Sequence, residues 1–390
     1  MEGRVKHDIV IIGGGISGVS TAYELARRGF KPLVLERSSL AAMASGWTLG
    51  GVRQSGRHPA ELPLALAAVQ RWPGLAEELD GETGYRQGGN LRIARTPDEA
   101  PRIQEVVEAT RAAGIDIDYL PTVDDVRKIA PVISPGIHSA SLCHTDGHAE
   151  PVATVTAFAR AAERLGVEIS TGVEVTGLSS TGGKIDAVRT VDGVIPADTV
   201  VVAAGIYTPA LVGPLEVDVP ITVTLTNVYQ TVSLEPQLDQ VIGVATGNLA
   251  FRQQIDGKFR LTGANTVWEH DLQSIQTSHD SVQPVLANLV RLHGVAIEVL
   301  PSFEMMRINR VWGGLIDQSP DGLPVYSADT GVEGLVVAAG FSGHGFGIGP
   351  VTGQILADLA TGETPPFDLD PFRIQRFTSM ETRAPVELHG

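Results

Sequence analysis

Cysteine is nearly absent: Cys143 stands alone in 390 residues. A single thiol excludes an internal disulfide and any zinc or iron–sulfur site built from several cysteines. Basic side chains are short too, with 29 Lys and Arg against 45 Asp and Glu, a formal charge of −16. No basic stripe offsets that surplus, so no nucleic-acid partner is expected, and an anionic substrate would need cations gathered locally. No apolar run reaches the roughly 18 residues that span a bilayer, so no membrane association is expected. Met1 to His7 is polar, and the apolar stretch behind it stops at Gly13. No signal peptide is expected, and the chain reads as cytoplasmic.

What is present begins with HDIVIIGGGISGVSTAYELARRGFKPLVLER, residues 7–37. Ile9 to Ile12 is a continuous β-branched run, suited to a parallel strand buried on both faces. Val19, Ala22, Tyr23 and Ala26 recur at helical spacing, Gly29 stands where that helix would end, and Leu33 to Leu35 supplies a second strand. The stretch predicts one βαβ unit. Gly13-x-Gly15-x-x-Gly18 falls between strand and helix, where a dinucleotide fingerprint needs it. The first glycine permits the tight turn, the second lets a pyrophosphate approach the backbone, and the third lets helix and strand pack closely. The N–H groups of Ile16, Ser17 and their neighbours at the helix start suit phosphate, and Glu36 is placed to accept from ribose hydroxyls. The motif alone fits NAD as well as FAD.

Residues 38–58 predict a long glycine-rich loop, and residues 97–130 a charged helical stretch. Residues 151–165 predict an amphipathic helix, followed by strands at 167–170, 173–178, 185–191 and 199–205. Longer β-rich runs at 219–264 predict an antiparallel sheet, and 281–293 a helix. EGLVVAAG, residues 333–340, returns to a buried strand; FSGHGFGIGP then makes a second glycine turn into a last helix. Nucleotide-type βα signals at the start, middle and end, with other material between them, predict an α/β fold, α+β overall. One domain would be discontinuous, carrying an insertion on a mixed or antiparallel sheet. The expected division is 1–85, 146–215 and 325–370 for the nucleotide domain, 86–145 and 216–324 for the inserted one, and 371–390 as a tail. Cys143, His144, Asp146, His148 and Glu150 are metal-capable, but no helical spacing aims them at one point, and no metal site is expected.

The fingerprint with Glu36 and Arg37 is joined by SGWTLGGVRQSGR (45–57), YRQGGNLRIA (85–94) and DGHAEP (146–151). Further on stand VVVAAGIYTPAL (200–211), RVWGGLIDQSPDGLPV (310–325) and GFSGHGFGIGP (340–350). Together these segments resemble the D-amino-acid oxidase and sarcosine oxidase family of FAD-dependent oxidoreductases over nearly the whole chain. Within it they are most similar to β-type subunits of opine, proline and sarcosine dehydrogenases or oxidases.

The resemblance implies a Rossmann-type FAD-binding domain with an inserted substrate domain. The ADP half of FAD would lie on the first glycine turn and the isoalloxazine at the second. There Gly343 and the backbone N–H groups of Gly345, Phe346 and Gly347 would meet the charge that reduction places on the ring. It also implies contacts from Val175 to the adenine, from Ala204 and Gly205 beside the cofactor, and from Ser45, Gly50 and Gly51 along the pyrophosphate, ribityl chain and ring. Cys143 stands outside the stretch after Trp312 where relatives attach flavin, so FAD is expected to be non-covalent.

The implied reaction is oxidation of a C–N bond in an amino acid or N-substituted amino acid by hydride transfer, the imine then hydrolysing. Alternatives are a 2-hydroxy acid dehydrogenase on the same fold, and an obligate subunit needing an α-type redox partner. Arginine suits a carboxylate anchor because its fork matches both oxygens. Arg53, Arg252 and Arg310 are the candidates, each taken singly reading better as a surface or structural salt bridge. His344 is placed to bond substrate or tune the ring, or to be satisfied by backbone; Tyr229 to line the pocket or fill a core; Trp47 to cover the ring edge or pack. Two departures leave the substrate open: Ile316 stands where glycine-oxidase-like members carry arginine, and Gly347 where monomeric sarcosine oxidases carry lysine.

Overall fold

A computed structural model describes residues 7–275 and 281–379. The β-branched run forms the strand His7–Ile12, which pairs in parallel with Leu33–Glu36 on one side and Gly193–Val202 on the other. The sheet runs Val325–Ser327, Leu335–Ala339, Gly193–Val202, His7–Ile12, Leu33–Glu36, Glu168–Thr171, parallel throughout except at its first edge. A hairpin of Val175–Thr181 and Lys184–Thr190 branches from Gly193–Val202.

Alternation along the strands sends side chains into two cores. Ile9, Ile11, Val34, Val201 and Val336 pack with helical residues including Val19, Val155 and Ile355. Val10, Ile12, Leu35, Val200 and Val337 pack on the opposite face with Leu178, Val188 and Val212. Burial on both faces explains the unbroken apolar runs.

The helices that follow the two glycine turns, Ile16–Arg27 and Gly345–Thr361, lie against each other. Glycine makes their approach possible. A Cβ at Gly349 would stand 2.3 Å from the Ile16 side chain, and one at Gly353 would stand 2.6 Å from Ser20. Ser20 Oγ also donates to Gly349 O at 3.0 Å. The two helix starts are thereby fixed side by side.

A second sheet has the order Ile308–Gln318, Thr222–Ser233, Lys258–Val267, Ala250–Gln253, Val241–Val244, Asn90–Ala94, Ser139–Cys143, Asp118–Leu120. It is mixed: all pairs are antiparallel except Val241–Val244 with Asn90–Ala94. Leu91, Ile242, Phe251, Leu261, Leu292, Ala296 and Phe303 form the core between this sheet and the helix Leu286–Val299.

Some elements differ from the sequence expectation. Residues 97–130 are helix Ala100–Ala112, strand Asp118–Leu120 and helix Val123–Ile129, because Gly114, at φ +79°, ends the first helix. The helix expected over 281–293 starts at Leu286, two residues beyond Pro284, and runs on to Val299. The loop 38–58 contains the short helix Ala44–Trp47 and a strand, Gly51–Val52, paired with Gly147–His148. Among the described residues no helix is long and apolar enough to cross a membrane, and no three His, Cys, Asp or Glu side chains gather as for a metal ion.

Candidate active site

The first turn is built by exclusion of side chains. Gly13 has φ +115°, and a Cβ there would come within 2.3 Å of Ala203 O; at Gly18 it would meet Gly13 O at 1.9 Å. Gly15 has ordinary backbone angles, but its Cβ would stand 2.9 Å from Ser45 Oγ. That hydroxyl accepts from Ile16 N at 3.0 Å and satisfies one helix-start donor. Glu36 clamps the turn: Oε2 accepts from Gly14 N at 2.7 Å and Oε1 from Ser38 N at 2.8 Å. Burial raises its pKa, opposed by those two N–H bonds and by Arg37. Each oxygen keeps a further lone pair for a hydroxyl. Arg37 lies over the Tyr207 ring at 4.5 Å, and Val175 begins the hairpin strand opposite Thr190.

The second turn carries Gly340, Ser342 and Gly343 at φ +67°, +51° and +86°. Asp317 holds it, accepting from Gly340 N at 2.8 Å through Oδ2 and from Ser342 N at 3.0 Å through its carbonyl. Burial pushes the Asp317 carboxyl up to about 6, against backbone N–H bonds from Gly340, Phe341 and Asp317 itself. His344 precedes the helix, and its Nδ1 lies 3.1 Å from Glu61 Oε1. At Gly347 a Cβ would meet Gly51 O at 2.8 Å, so the loop backbone occupies the space a lysine side chain would need.

Both turns open into one cleft. Gly15, Ile16, Ser17 and Ser45 line one part; Gly343, His344, Gly345 and Phe346 line another. Gly51, Ala203 and Gly205 lie along it, while Ala204 sits one residue behind and Gly50 faces Ala149 O instead. Trp47, 2% exposed, closes a side. The second sheet contributes Asn90, Thr226, Val228, Thr262 and Ile316. Arg53, Arg57 and His344 are its basic residues, and Asp317 is its carboxylate.

Three candidates fall elsewhere. Arg252 is fully buried and does not line the cleft. It pairs with Glu150 at 2.9 Å, contacts His148 Nδ1 at 3.0 Å, and donates to Ala149 O at 3.0 Å and to Leu49 O. These bonds take four of its five N–H donors, so it reads as a structural clamp. Tyr229 packs in the core behind the sheet, its hydroxyl 3.1 Å from His293 Nδ1. Alternation decides this, since its neighbour Val228 faces the cleft. Arg310 lies at the outer end of its strand, 6.0 Å from the Trp312 ring, whereas the cleft takes Gly314 to Asp317 of that strand. Of the three arginine candidates only Arg53 reaches the cleft.

Arg57, Glu61, Asn90 and Asp317 were missed. Arg57 and Asp317 stand inside segments that carry the resemblance, so their signal was available. Glu61, in HPAELP, has none.

A cradle of side-chain-free backbone at two helix starts, joined by one cleft, defines a site for a long dinucleotide with charge at both ends. The residues fit FAD: glycines where the backbone must be approached, a helix start at each turn, and Arg53 and Arg57 lining the same cleft. The profile of the family described as DAO, FAD dependent oxidoreductase, matches residues 8–359. The chain belongs to that family and is a FAD-dependent oxidoreductase. The sarcosine oxidase subunit beta of Arthrobacter sp is 27% identical, over 100% of this chain and 95% of its own length. The glycine oxidase of Bacillus licheniformis is 26% identical, over 92% of this chain and 94% of its own. In three dimensions the chain is similar to L-proline dehydrogenase from P. horikoshii, with a TM-score of 0.88, 24% identity, and coverage of 97% of this chain and 100% of that one.

Proposed function

We propose that the chain oxidises a C–N bond of an amino acid or N-substituted amino acid, releasing an imine that water hydrolyses. The observation that carries this reading is one cleft lined by both glycine turns and by Arg53 and Arg57. Bound FAD supplies the two-electron acceptor. Gly13, Gly15, Ile16, Ser17, Gly18, Glu36 and Ser45 would hold its ADP half. Gly51, Gly205 and the turn from Gly343 to Gly347 would hold the rest, the helix-start N–H groups favouring negative charge there. Arg53 is the carboxylate anchor we favour, with Arg57, whose Nε donates to Arg53 O at 3.2 Å, beside it. Positioning supplies most of the protein's contribution, since the carboxylate fixes the α-carbon relative to the acceptor. On this reading the first sheet belongs to the cofactor domain and the second sheet to the substrate domain.

The test is an anaerobic screen of the FAD-loaded chain with D-amino acids, sarcosine, proline, hydroxyproline and opines, and with 2-hydroxy acids as counter-set. An amine should bleach the flavin band near about 450 nm at rates typical of enzymes. Bleaching by 2-hydroxy acids alone would overturn the reading. An α-type partner is a second possibility, favoured by the subunit designation of the Arthrobacter relative. A single species active alone on size exclusion would remove it.

A further inference from the structure

Glu61 and His344 form a constellation that the reading above leaves unused. Glu61 immediately precedes the helix Leu62–Arg71, makes no side-chain capping bond to it, and is 1% exposed. A carboxylate so deeply buried demands partners. It has His344 Nδ1 at 3.1 Å, with Arg57 and His58 on the loop before it. Burial pushes the Glu61 carboxyl up, but His344, Arg57 and His58 outweigh this and hold it at about 2. Arg57, charged at every pH of interest, favours the ionised Glu61 even beside a neutral ring; that carboxylate accepts only, so Nδ1 carries the ring proton. In a neutral ring Nε2 is then the lone-pair nitrogen. Among the described residues it has no protein hydrogen bond, and His344 lines the cleft.

We propose that Glu61 and His344 form a proton-accepting dyad for an incoming α-ammonium group. His344 is the catalytic residue and Glu61 the positioning residue. One N–H bond of the ammonium breaks, its electron pair stays on the amine nitrogen, and an N–H bond forms at His344 Nε2. The charge gained by the imidazole faces the Glu61 carboxylate. The step matters because only the neutral amine has the lone pair that becomes the C=N bond when the α-hydrogen leaves with its electrons. Arg53 and Arg57 oppose further positive charge on the ring, while Glu61 and Asp317 favour it; Tyr326, its hydroxyl on Thr352, packs behind Glu61. The inference rests on the amine-oxidising reading above.

The test uses the FAD-loaded full chain. Nitrogen-15 NMR of labelled histidine should show His344 as the Nδ1–H tautomer in the wild type; an Nε2–H tautomer would overturn the dyad with no substrate involved. Anaerobic flavin reduction by the panel amine that reduces the wild type is then followed from pH 6 to pH 10. His344→Asn should slow reduction about a hundredfold at pH 7 and Glu61→Gln about tenfold. Both losses should shrink to less than about threefold at pH 10, where free amine needs no base. A merely structural role would give the same loss at both ends of the range, and that result, or no loss, overturns the proposal. Should either variant lose FAD, His344→Gln and Glu61→Asp take its place, with convergence at high pH still required. A wild type reduced by no amine overturns the oxidation reading itself, and the dyad's role with it.

Discussion

Gly15→Val is expected to give protein that folds yet purifies colourless, with FAD affinity lowered by about two orders of magnitude, some 3 kcal/mol. Gly15 has φ −78° and ψ 179°, extended backbone that valine adopts readily. The substitution therefore leaves the turn unstrained, unlike one at Gly13, at φ +115°. The new Cβ lies 2.9 Å from Ser45 Oγ, and the methyl groups beyond it enter the cleft. Overpacking of that kind typically costs about 1–3 kcal/mol, to which displaced phosphate contacts add. Flavin fluorescence titration of the apoprotein measures the affinity, and thermal unfolding of the same sample separates binding from folding. Undiminished FAD affinity would show that the first turn does not hold the cofactor.

Arg252→Ala should destabilise the chain by about 3–5 kcal/mol, because it empties a fully buried guanidinium site and takes the ion-pair partner from the largely buried Glu150. The guanidinium ties the strand Ala250–Gln253 of the second sheet to Leu49, which lines the cleft, and to Ala149 and Glu150. Burial pushes the Glu150 carboxyl up, and Arg252, helped by Gln254 and Arg260, more than reverses this, holding it at about 2. The same arginine adds to burial in driving the His148 pKa down to about 3. The sign of the pH dependence follows. Glu150 is depressed below its unfolded value, so its contribution is present above about pH 4.5 and is lost as pH falls through about 2. The gap between wild type and variant should be full at pH 7 and close in acid, as urea unfolding at several pH values would show. A variant of unchanged stability that binds amine carboxylates poorly would instead restore Arg252 as the anchor.

The contrast between Arg252 and Arg53 shows where sequence legibility stops. The first βαβ unit was readable because a continuous β-branched run, a 3.6-residue repeat and spaced glycines each have one physical meaning, and they coincide at Gly13 to Gly18. The second turn was readable for the same reason: five glycines between Gly340 and Gly349 mark a backbone that must be approached closely. In TVTLTNVYQTVS, by contrast, neither alternate set is clearly polar, so the sequence could not say that Val228 faces the cleft and Tyr229 the core. Arg252 in AFRQ looks like any strand arginine, and its partners lie more than 100 positions away. Glu61 became visible only when the helix after residue 61 was brought against the turn at 344. The closeness of Gly349 and Gly353 to Ile16 and Ser20 likewise needed three dimensions, although their four-residue spacing was in view.

The central claim is that one molecule of FAD stretches between the two glycine turns through one cleft. A crystal structure of the FAD-loaded chain tests it most directly. The pyrophosphate should lie against Gly15 and Ile16 with the isoalloxazine against Gly343 to Gly347, and a flavin reaching only one of the two turns would contradict the account.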